Sequence, residues 1–488
     1  MCGIVGVIGL PKDEILHRIL LLLTLQQNRG QQGSGVYLVE FSSGQNPFHL
    51  NVPGLVNRLA TTIEETLAHG WPEPVGDVGI GHVRYSTSGG DDVSCLQPQV
   101  ADVDGSRIVF AFNGNIVSWK RRALALGLPP GITDTLFILE LLKRSDPALP
   151  TIERIRTVFE TLQGAFSTII VWDERLYAVR DPACFRPLWL GQLNGGWVIA
   201  SEDGALRHAQ TTVIRPIEAG EILAIGVNGL EQSTTLHRRC EHNRCTMEVS
   251  YFSRPDSSTT SRTKSNGMIR YQHGRLVARA WKKSGRMAPI DCIVPMVASG
   301  LSAGIGVAQV LDIELRLAIN RNPFVGRNFL EGRQTASQHI SLKHSIDPFM
   351  VEGKRVAVVD DSLIRGRTAR TTVAELRRFG AIEVHWIVAT PPFRARCFYG
   401  LDTPFSQELL AHRDDETRDE TALAADVAKA IGADSVFYLP FEDYYKSFSR
   451  SASCCFSCFS GEYPADNAPD EDDLIGQRCD ISPLPLEC

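Results

Sequence analysis

The chain has 488 residues, 43% of them hydrophobic and 22% charged, with a formal net charge of −6. Such a chain is globular and long enough for two or three domains, and its charge excludes a polycationic binder of nucleic acid or anionic membranes. No apolar run reaches the roughly 20 residues of a membrane helix, no basic stretch precedes an apolar one at the amino terminus, and twelve cysteines are too sparse for a disulfide scaffold, so the expected location is cytoplasmic.

In chain order, short apolar runs bounded by turn residues predict strands over 4–8, 78–85, 108–112, 166–172 and 197–200, interrupted by helices over 14–27 and 134–143. Many short strands with few helices imply two packed sheets, an α+β arrangement. Residues 231–266 are polar and rich in Ser, Thr and Arg, which marks a boundary. Beyond it the pattern alternates: helix 268–284, strand 291–297, helix 302–311, strands 314–319 and 354–360, helix 368–379, strand 382–389. Strands alternating with helices predict an α/β domain with a doubly wound parallel sheet. The expected division is 1–235, 236–445 and a carboxy-terminal segment 446–488, with an acidic, mobile tail after 460.

Cys2 follows the initiator methionine and has a side chain small enough to permit methionine removal. A free N-terminal cysteine carries a thiol and an α-amine on one residue, so the amine takes the thiol proton and no histidine partner is required. That thiolate suits attack on a side-chain amide, giving a thioester and ammonia. Glycines in the run CGIVGVIG leave room for a ligand beside the strand. Arg84, at a strand end in GHVRYSTSGG, suits a free carboxylate held by two parallel hydrogen bonds. Asn113 and Gly114, in FNGN, offer an amide and a backbone N–H as an oxyanion hole. Asp134, in GITDT, suits an ammonium. Each has a plainer reading alone: an incidental cysteine, a surface arginine, a hairpin turn, a helix cap.

Together the segments CGIVG, QNRGQQGSG, HVRYSTSGG, NGN, TDT, DPACFRPL, ASEDGAL and EAGEILAI resemble, in order, the class II glutamine amidotransferases. The resemblance implies an N-terminal-nucleophile (Ntn) hydrolase sandwich. It also implies that Cys2 is the nucleophile, that Asn113 and Gly114 form the oxyanion hole, that Arg84 and Asp134 bind the backbone groups of glutamine, and that Arg29 and Gly30 shape the site. Asn28 stands where the family usually has histidine, and Gln32 where it has an acidic residue.

Residues 354–372, GKRVAVVDDSLIRGRTART, run from a strand through two aspartates into a glycine-containing loop and a helix. A phosphate fits the backbone N–H groups there, assisted by the Ser362 and Thr368 hydroxyls. Asp360 and Asp361 suit ribose hydroxyls or a hydrated Mg²⁺, and the plainer reading is an acidic turn capping a helix. This run resembles the phosphoribosyl-diphosphate signature of type I phosphoribosyltransferases, which adds Arg365, Gly366, Ser299 and Arg327 to the expected phosphoribosyl and Mg²⁺ site.

The segments CTMEVSYFSRPDS, FVGRNF, TPPFRARCFYGLDTP, ADSVFYL and CFSCFSGEYP extend the likeness to the glutamine phosphoribosyl-diphosphate amidotransferase family over about 2–464. The implied activity is glutamine hydrolysis at Cys2 with transfer of ammonia to C1 of phosphoribosyl diphosphate, in purine biosynthesis, by a homo-oligomer. Cys245, Cys397, Cys455 and Cys458 fill the positions of [4Fe–4S] ligands in the iron–sulfur branch, with Cys454 as a substitute and a Cys₄ zinc site as the alternative.

The likeness breaks on the diphosphate side. Ala298, in the run 297–300, stands in place of a carboxylate, Pro323 in place of a cation and Pro348 in place of an arginine; Arg367 replaces a threonine, and Arg321 keeps one cation as arginine. Two further readings follow: an amidotransferase delivering ammonia to another phosphosugar or specialised acceptor, and a glutaminase with a non-catalytic transferase-like domain.

Overall fold

The computed structural model describes residues 1–41, 46–85, 93–237, 242–259, 264–322, 344–401, 403, 408–412, 419–448 and 451–469. The chain forms two compact units. One comprises Met1–Arg244, Cys397–Phe405 and Glu462 onward; the other comprises Cys245–Arg396 and Ser406–Gly461.

In the first unit the strands are β1 (Gly3–Ile8), β2 (Gly33–Val39), β3 (Phe48–Pro53), β4 (Val78–Arg84), β5 (Gln99–Val103), β6 (Ser106–Ile116), β7 (Gly164–Trp172), β8 (Arg175–Arg180), β9 (Trp189–Leu193), β10 (Gly196–Ala200), β11 (Thr212–Pro216), β12 (Glu221–Gly226) and β13 (Gly229–Thr235). They form two antiparallel sheets, β11-β9-β10-β1-β4-β2-β3 and β13-β12-β8-β7-β6-β5. The period-2 rule shows in β1: Ile4 and Ile8 join Ile80, Val109, Ala111 and Ile169 in the core shared by both sheets. Val5 and Val7 point the other way and lie under helices Glu14–Leu25 and Val56–Ala68. Phe110 and Ile170 of the second sheet lie under helices Asp134–Lys143 and Thr151–Glu160. The result is a helix–sheet–sheet–helix sandwich whose central strands, such as β1, β4 and β7, are buried on both faces.

Two late segments complete this unit. The Tyr399 ring stacks on Phe185 at 4.3 Å between centroids, and its hydroxyl donates to the Asn467 carbonyl at 3.0 Å. The Asn467 side-chain oxygen accepts from the Gly164 N–H at 2.9 Å, and the Asn115 amide donates to the Phe398 carbonyl at 2.7 Å.

In the second unit β14 (Arg244–Cys245) pairs with β21 (Cys454–Cys455), and β16 (Ile319–Arg321) pairs with β17 (His344–Ile346). The main sheet is parallel, in the order β15 (Cys292–Pro295), β18 (Arg355–Asp360), β19 (Glu383–Val388), β20 (Ser435–Tyr438). Helices Asn266–Lys283, Leu301–Leu311, Arg367–Arg378 and Glu420–Ile431 accompany it. The strand expected over 314–319 is reduced to a parallel bridge between Leu315 and Ile293 and the short β16. Its neighbours explain this: Glu314 and Arg316 turn outward to pair with each other at 2.7 Å, and Arg316 also donates to the Met350 carbonyl. From β15 the chain winds to Leu315 on one side and returns to β18 on the other. That reversal is where open α/β sheets bind ligands, beyond the carboxyl ends of the strands, and Asp360 ends β18 there.

Candidate active site

Cys2 lies just ahead of β1, which is held between β4 and β10. Its backbone N–H donates to the Asn113 side-chain oxygen at 3.0 Å. Asn113 is fully buried, and its Nδ2 amide has no hydrogen-bond partner among the described residues. An unpaired buried donor costs about 1–3 kcal/mol, and this one lies beside the Cys2 nitrogen that the other end of the amide holds. Gly114 follows on β6, where a Cβ would meet the Ala165 carbonyl oxygen at 2.0 Å. Only glycine permits that approach to β7.

The loop after the first helix closes over the other side of Cys2. The Arg29 Nε donates to the Cys2 carbonyl at 2.8 Å, and its Nη1 pairs with Glu202 at 3.1 Å, both side chains being buried. The Asn28 amide donates to the same Glu202 oxygen at 2.9 Å, so the residue that departs from the family pattern still serves this loop. A Cβ on Gly30 would lie 2.5 Å from the Arg84 backbone carbon. The loop therefore packs directly against the end of β4.

Cys2, Arg84, Gly114 and Asp134 line one cleft. Thr133 caps the helix that begins at Asp134, accepting from the Leu136 N–H at 3.3 Å. Asp134 accepts from the N–H groups of Thr135 at 2.9 Å and Ile116 at 3.4 Å. Burial outweighs those bonds and pushes its carboxyl up to about 6. Burial also works against ionisation of the Cys2 thiol, but the neighbouring His82 and the amino terminus of Met1 overcome it and, with Met1 in place, lower the thiol to about 6.

Three residues that the sequence reading did not single out also serve this cleft. Glu202 anchors Arg29 and Asn28. Gln97 links the Phe112 N–H, at 2.7 Å, to the Thr135 hydroxyl, at 3.3 Å. His82, fully buried, stands beside the thiol. His82 and Glu202 fall inside motifs legible in the sequence, HVRYSTSGG and ASEDGAL, but nothing in a linear motif shows what faces the sulfur.

In the second unit Asp360 and Asp361 are buried at the end of β18. The Asp361 N–H donates to Asp360 at 3.0 Å, and the Ser362 hydroxyl donates to Asp361 at 2.7 Å. Burial first, then the Asp361 charge, raises the Asp360 carboxyl well above the usual range, a pair suited to a cation or to hydroxyl donors. Gly366 takes a φ of +71° and caps helix Arg367–Arg378, with Arg367 and Thr368 exposed in its first turn. Arg365 pairs with Glu408 at 3.3 Å. The loop with exposed Ala298 and half-buried Ser299 borders this end of the sheet, since a Cβ on Gly300 would meet the Val359 carbonyl at 2.3 Å. Arg321 ends β16, exposed, and Pro348 opens a short helix capped by Asp347. Arg327, Pro323 and the tail from 470 lie outside the described residues.

Cys245, Cys454, Cys455 and Cys458 are buried and Cys397 half-buried, none of them in a disulfide among the described residues. Among the described residues no group of three or more His, Cys, Asp or Glu is already gathered as a metal site.

Residues 82–208 match the glutamine amidotransferase domain family. The chain is 35% identical over 472 residues to amidophosphoribosyltransferase 1, chloroplastic, of Arabidopsis thaliana, covering 95% of this chain and 78% of that one. Its structure resembles the allosteric regulatory enzyme of purine biosynthesis with a TM-score of 0.82 and 30% identity, covering 96% and 97% of the two chains. It also resembles glutamine phosphoribosylpyrophosphate amidotransferase from B. subtilis, complexed with ADP and GMP, with a TM-score of 0.79, 30% identity and coverage of 95% and 97%.

Proposed function

The chain belongs to the amidophosphoribosyltransferase family, and on that premise we propose that it hydrolyses glutamine at Cys2 and delivers the ammonia to C1 of phosphoribosyl diphosphate, releasing diphosphate. It is an enzyme of combined glutamine amidotransferase and phosphoribosyltransferase type, acting in purine biosynthesis. The observation that carries the glutaminase half is the Cys2–Asn113 pair: one end of the amide holds the Cys2 nitrogen, and the other is a buried donor without a partner among the described residues.

In this reading the Cys2 sulfur attacks the side-chain carbonyl of glutamine. The Asn113 Nδ2 and the Gly114 N–H receive the developing oxyanion. Arg84 takes the substrate carboxylate and Asp134 its ammonium, while Arg29, held by Glu202, and Gly30 fix the loop that positions Cys2. The C–N bond breaks with a proton delivered to nitrogen, and water then hydrolyses the thioester to glutamate. In the second unit Asp360, Asp361, Ser362, Arg365, Gly366 and Thr368, with Ser299 and Arg327, are assigned to the phosphoribosyl group. Mg²⁺, when bound beside Asp360 and Asp361, neutralises charge on the diphosphate leaving group. The buried pair, with the Asp360 carboxyl raised by burial and by the Asp361 charge, is compatible with that cation.

We assign Cys245, Cys397, Cys455 and Cys458 to a [4Fe–4S] cluster, with zinc as the alternative. The donor chemistry fits a soft metal: Cys245 and Cys455 sit on paired strands, and both are buried, as is Cys458, with none of the three in a disulfide among the described residues. We further propose a homo-oligomer, on family likeness, and a cytoplasmic location, on the sequence reading above.

The test is an assay of purified enzyme with glutamine and phosphoribosyl diphosphate for both glutamate and diphosphate. Cys2→Ser is expected to abolish glutamate release and to keep ammonia-dependent diphosphate release. Full glutamine turnover by that variant rejects the nucleophile. Glutamate release without diphosphate release favours a different acceptor, the reading motivated by Ala298.

A further inference from the structure

The pairing of β5 with β6 ends at Gln99 opposite Phe110. Carried two residues further, that register sets Gln97 against Phe112, but the chain bends at Gln97 and Pro98, and proline brings no N–H to a ladder. Backbone N–H groups along a strand point to alternate sides. The edge of β6 that β5 leaves uncovered therefore carries those of Phe112, Gly114 and Ile116.

Each outer group on that edge has a side-chain acceptor. The Gln97 Oε1 takes the Phe112 N–H at 2.7 Å, and an Asp134 carboxylate oxygen takes the Ile116 N–H at 3.4 Å. Gly114, between them, lines the cleft with Cys2, Gln97 and Asp134. The two acceptors are also tied to each other. Gln97 Nε2 donates to the Thr135 hydroxyl at 3.3 Å, and the Thr135 N–H donates to Asp134 at 2.9 Å. Gln97 itself is buried and anchored from the facing sheet. A Cβ on Gly35 of β2 would lie 2.3 Å from its carbonyl oxygen, and the Pro98 carbonyl accepts from the Asn51 amide of β3 at 3.1 Å.

We propose that Gln97 is a positioning residue that sets the length of amide the cleft accepts: standing in for the missing strand, it fixes the span from the Gly114 N–H to the Asp134 carboxylate and so selects glutamine over asparagine. It takes no part in proton or bond transfer. The inference rests on the roles proposed above for Gly114 and Asp134. One receives the oxygen of the side-chain amide and the other the ammonium at the far end of the substrate. The Gly114 and Ile116 N–H groups are two residues apart on one strand edge, roughly 7 Å. Asparagine is one methylene shorter, so on a rigid span it forfeits one of the two contacts. Losing a charged hydrogen bond is a penalty of at least about tenfold in kcat/KM. A span that gives way lets the shorter amide make both contacts and weakens the hold on glutamine.

The test is hydrolysis of glutamine and of asparagine by wild type, Gln97→Met and Thr135→Val, read as KM, kcat and the ratio of kcat/KM for the two amides. KM and the ratio do not depend on the fraction of folded enzyme, so a merely structural role moves neither. Gln97→Met keeps the length of the side chain and removes both polar ends. It is expected to raise KM for glutamine about three- to tenfold and to lower the preference for glutamine by a similar factor. Thr135→Val breaks the same tie from its other end and is expected to act in the same direction. The double variant should change the ratio little more than the larger single change. A wild-type ratio in Gln97→Met, whatever happens to kcat or Tm, overturns the proposal and leaves Gln97 a plug in the sheet edge. Should Gln97→Met not fold, Thr135→Val carries the test, and a wild-type ratio there overturns it. Cys2→Ser and Asp134→Asn assayed alongside separate failure of this inference from failure of the site: wild-type turnover by the first, or a wild-type KM in the second, rejects the underlying roles instead.

Discussion

Asp134 shows how a single side chain is placed for a ligand at the expense of the empty protein. Its carboxyl is raised to about 6 from 3.8 by burial, and a raised carboxyl contributes stability below its unfolded value that is lost as pH rises through the folded value. At neutral pH the ligand-free protein therefore carries an ionised group it would rather protonate, at a cost on the order of 3 kcal/mol. Asp134→Asn is expected to raise the Tm of the ligand-free protein near neutrality, to change it little in acid, and to raise KM for glutamine at least about tenfold, the loss of one charged hydrogen bond. In wild type, KM should climb as pH falls below about 6, because a protonated Asp134 no longer attracts an ammonium. Thermal melts and initial rates across pH check both signs, and a variant with lower Tm and unchanged KM rejects them. At this scale the sequence was informative where chemistry is dense: Cys2, Asn113, Gly114, Arg84 and Asp134 were legible as types. His82 and Glu202 were not, since their significance lies in what the folded chain brings beside them.

At the scale of elements, the β6–β7 pairing fixes the proposed oxyanion donors. Gly114 stands opposite Phe166 in register, and a Cβ there would lie 2.0 Å from the Ala165 carbonyl. Gly114→Ala must push the strands apart, so a stability loss of about 1–3 kcal/mol is expected. Displacing the donors should also lower kcat by about 10²–10³-fold. Circular dichroism melts and glutaminase kinetics test the pair of effects, and a variant that keeps wild-type kcat rejects the strand-spacing argument. Elements with strong internal periodicity were readable in advance, as with helices Glu14–Leu25 and Asp134–Lys143. Helices Val56–Ala68 and Thr151–Glu160 were not expected, although Val56, Leu59 and Ile63 recur at helical spacing. These helices are polar on one side and rich in β-branched residues, so packing on the outer face of a sheet stabilises them more than intrinsic propensity does.

For the whole molecule, the hardest features to read were those that join distant stretches. Residues 397–405 and those after 461 belong with the first unit, held by the Asn115, Phe185 and Gly164 contacts, and no local pattern announces a return across some two hundred residues or more. The alternation of the second unit was legible because parallel sheets bury continuous apolar strands such as RVAVVD. The assigned cluster draws on cysteines scattered just as widely, so its loss should be felt beyond the ligands. Anaerobically purified protein is expected to carry about four iron and four sulfide per chain, and Cys455→Ala or Cys458→Ala to lose the colour and lower Tm. Metal and sulfide analysis decides, and stoichiometric zinc without sulfide would replace the cluster with the alternative.

Met1 is buried, at 2% exposure, with its sulfur against the Arg186 guanidinium. A peptidase needs its substrate extended and accessible, so whatever stands ahead of Cys2 has to leave before the sandwich shuts. β1 is enclosed only when β10, Gly196–Ala200, pairs along its free edge and Ser201 takes up the Ile4 N–H. At roughly 5–20 residues per second on the ribosome, that gives an interval of about 10–40 s. Trimming thus races against folding, and any chain that closes first keeps its α-amine on the wrong residue. The active fraction in a cell would then be set by the ratio of two rates during synthesis, and no later exposure to the peptidase would rescue the remainder without unfolding it.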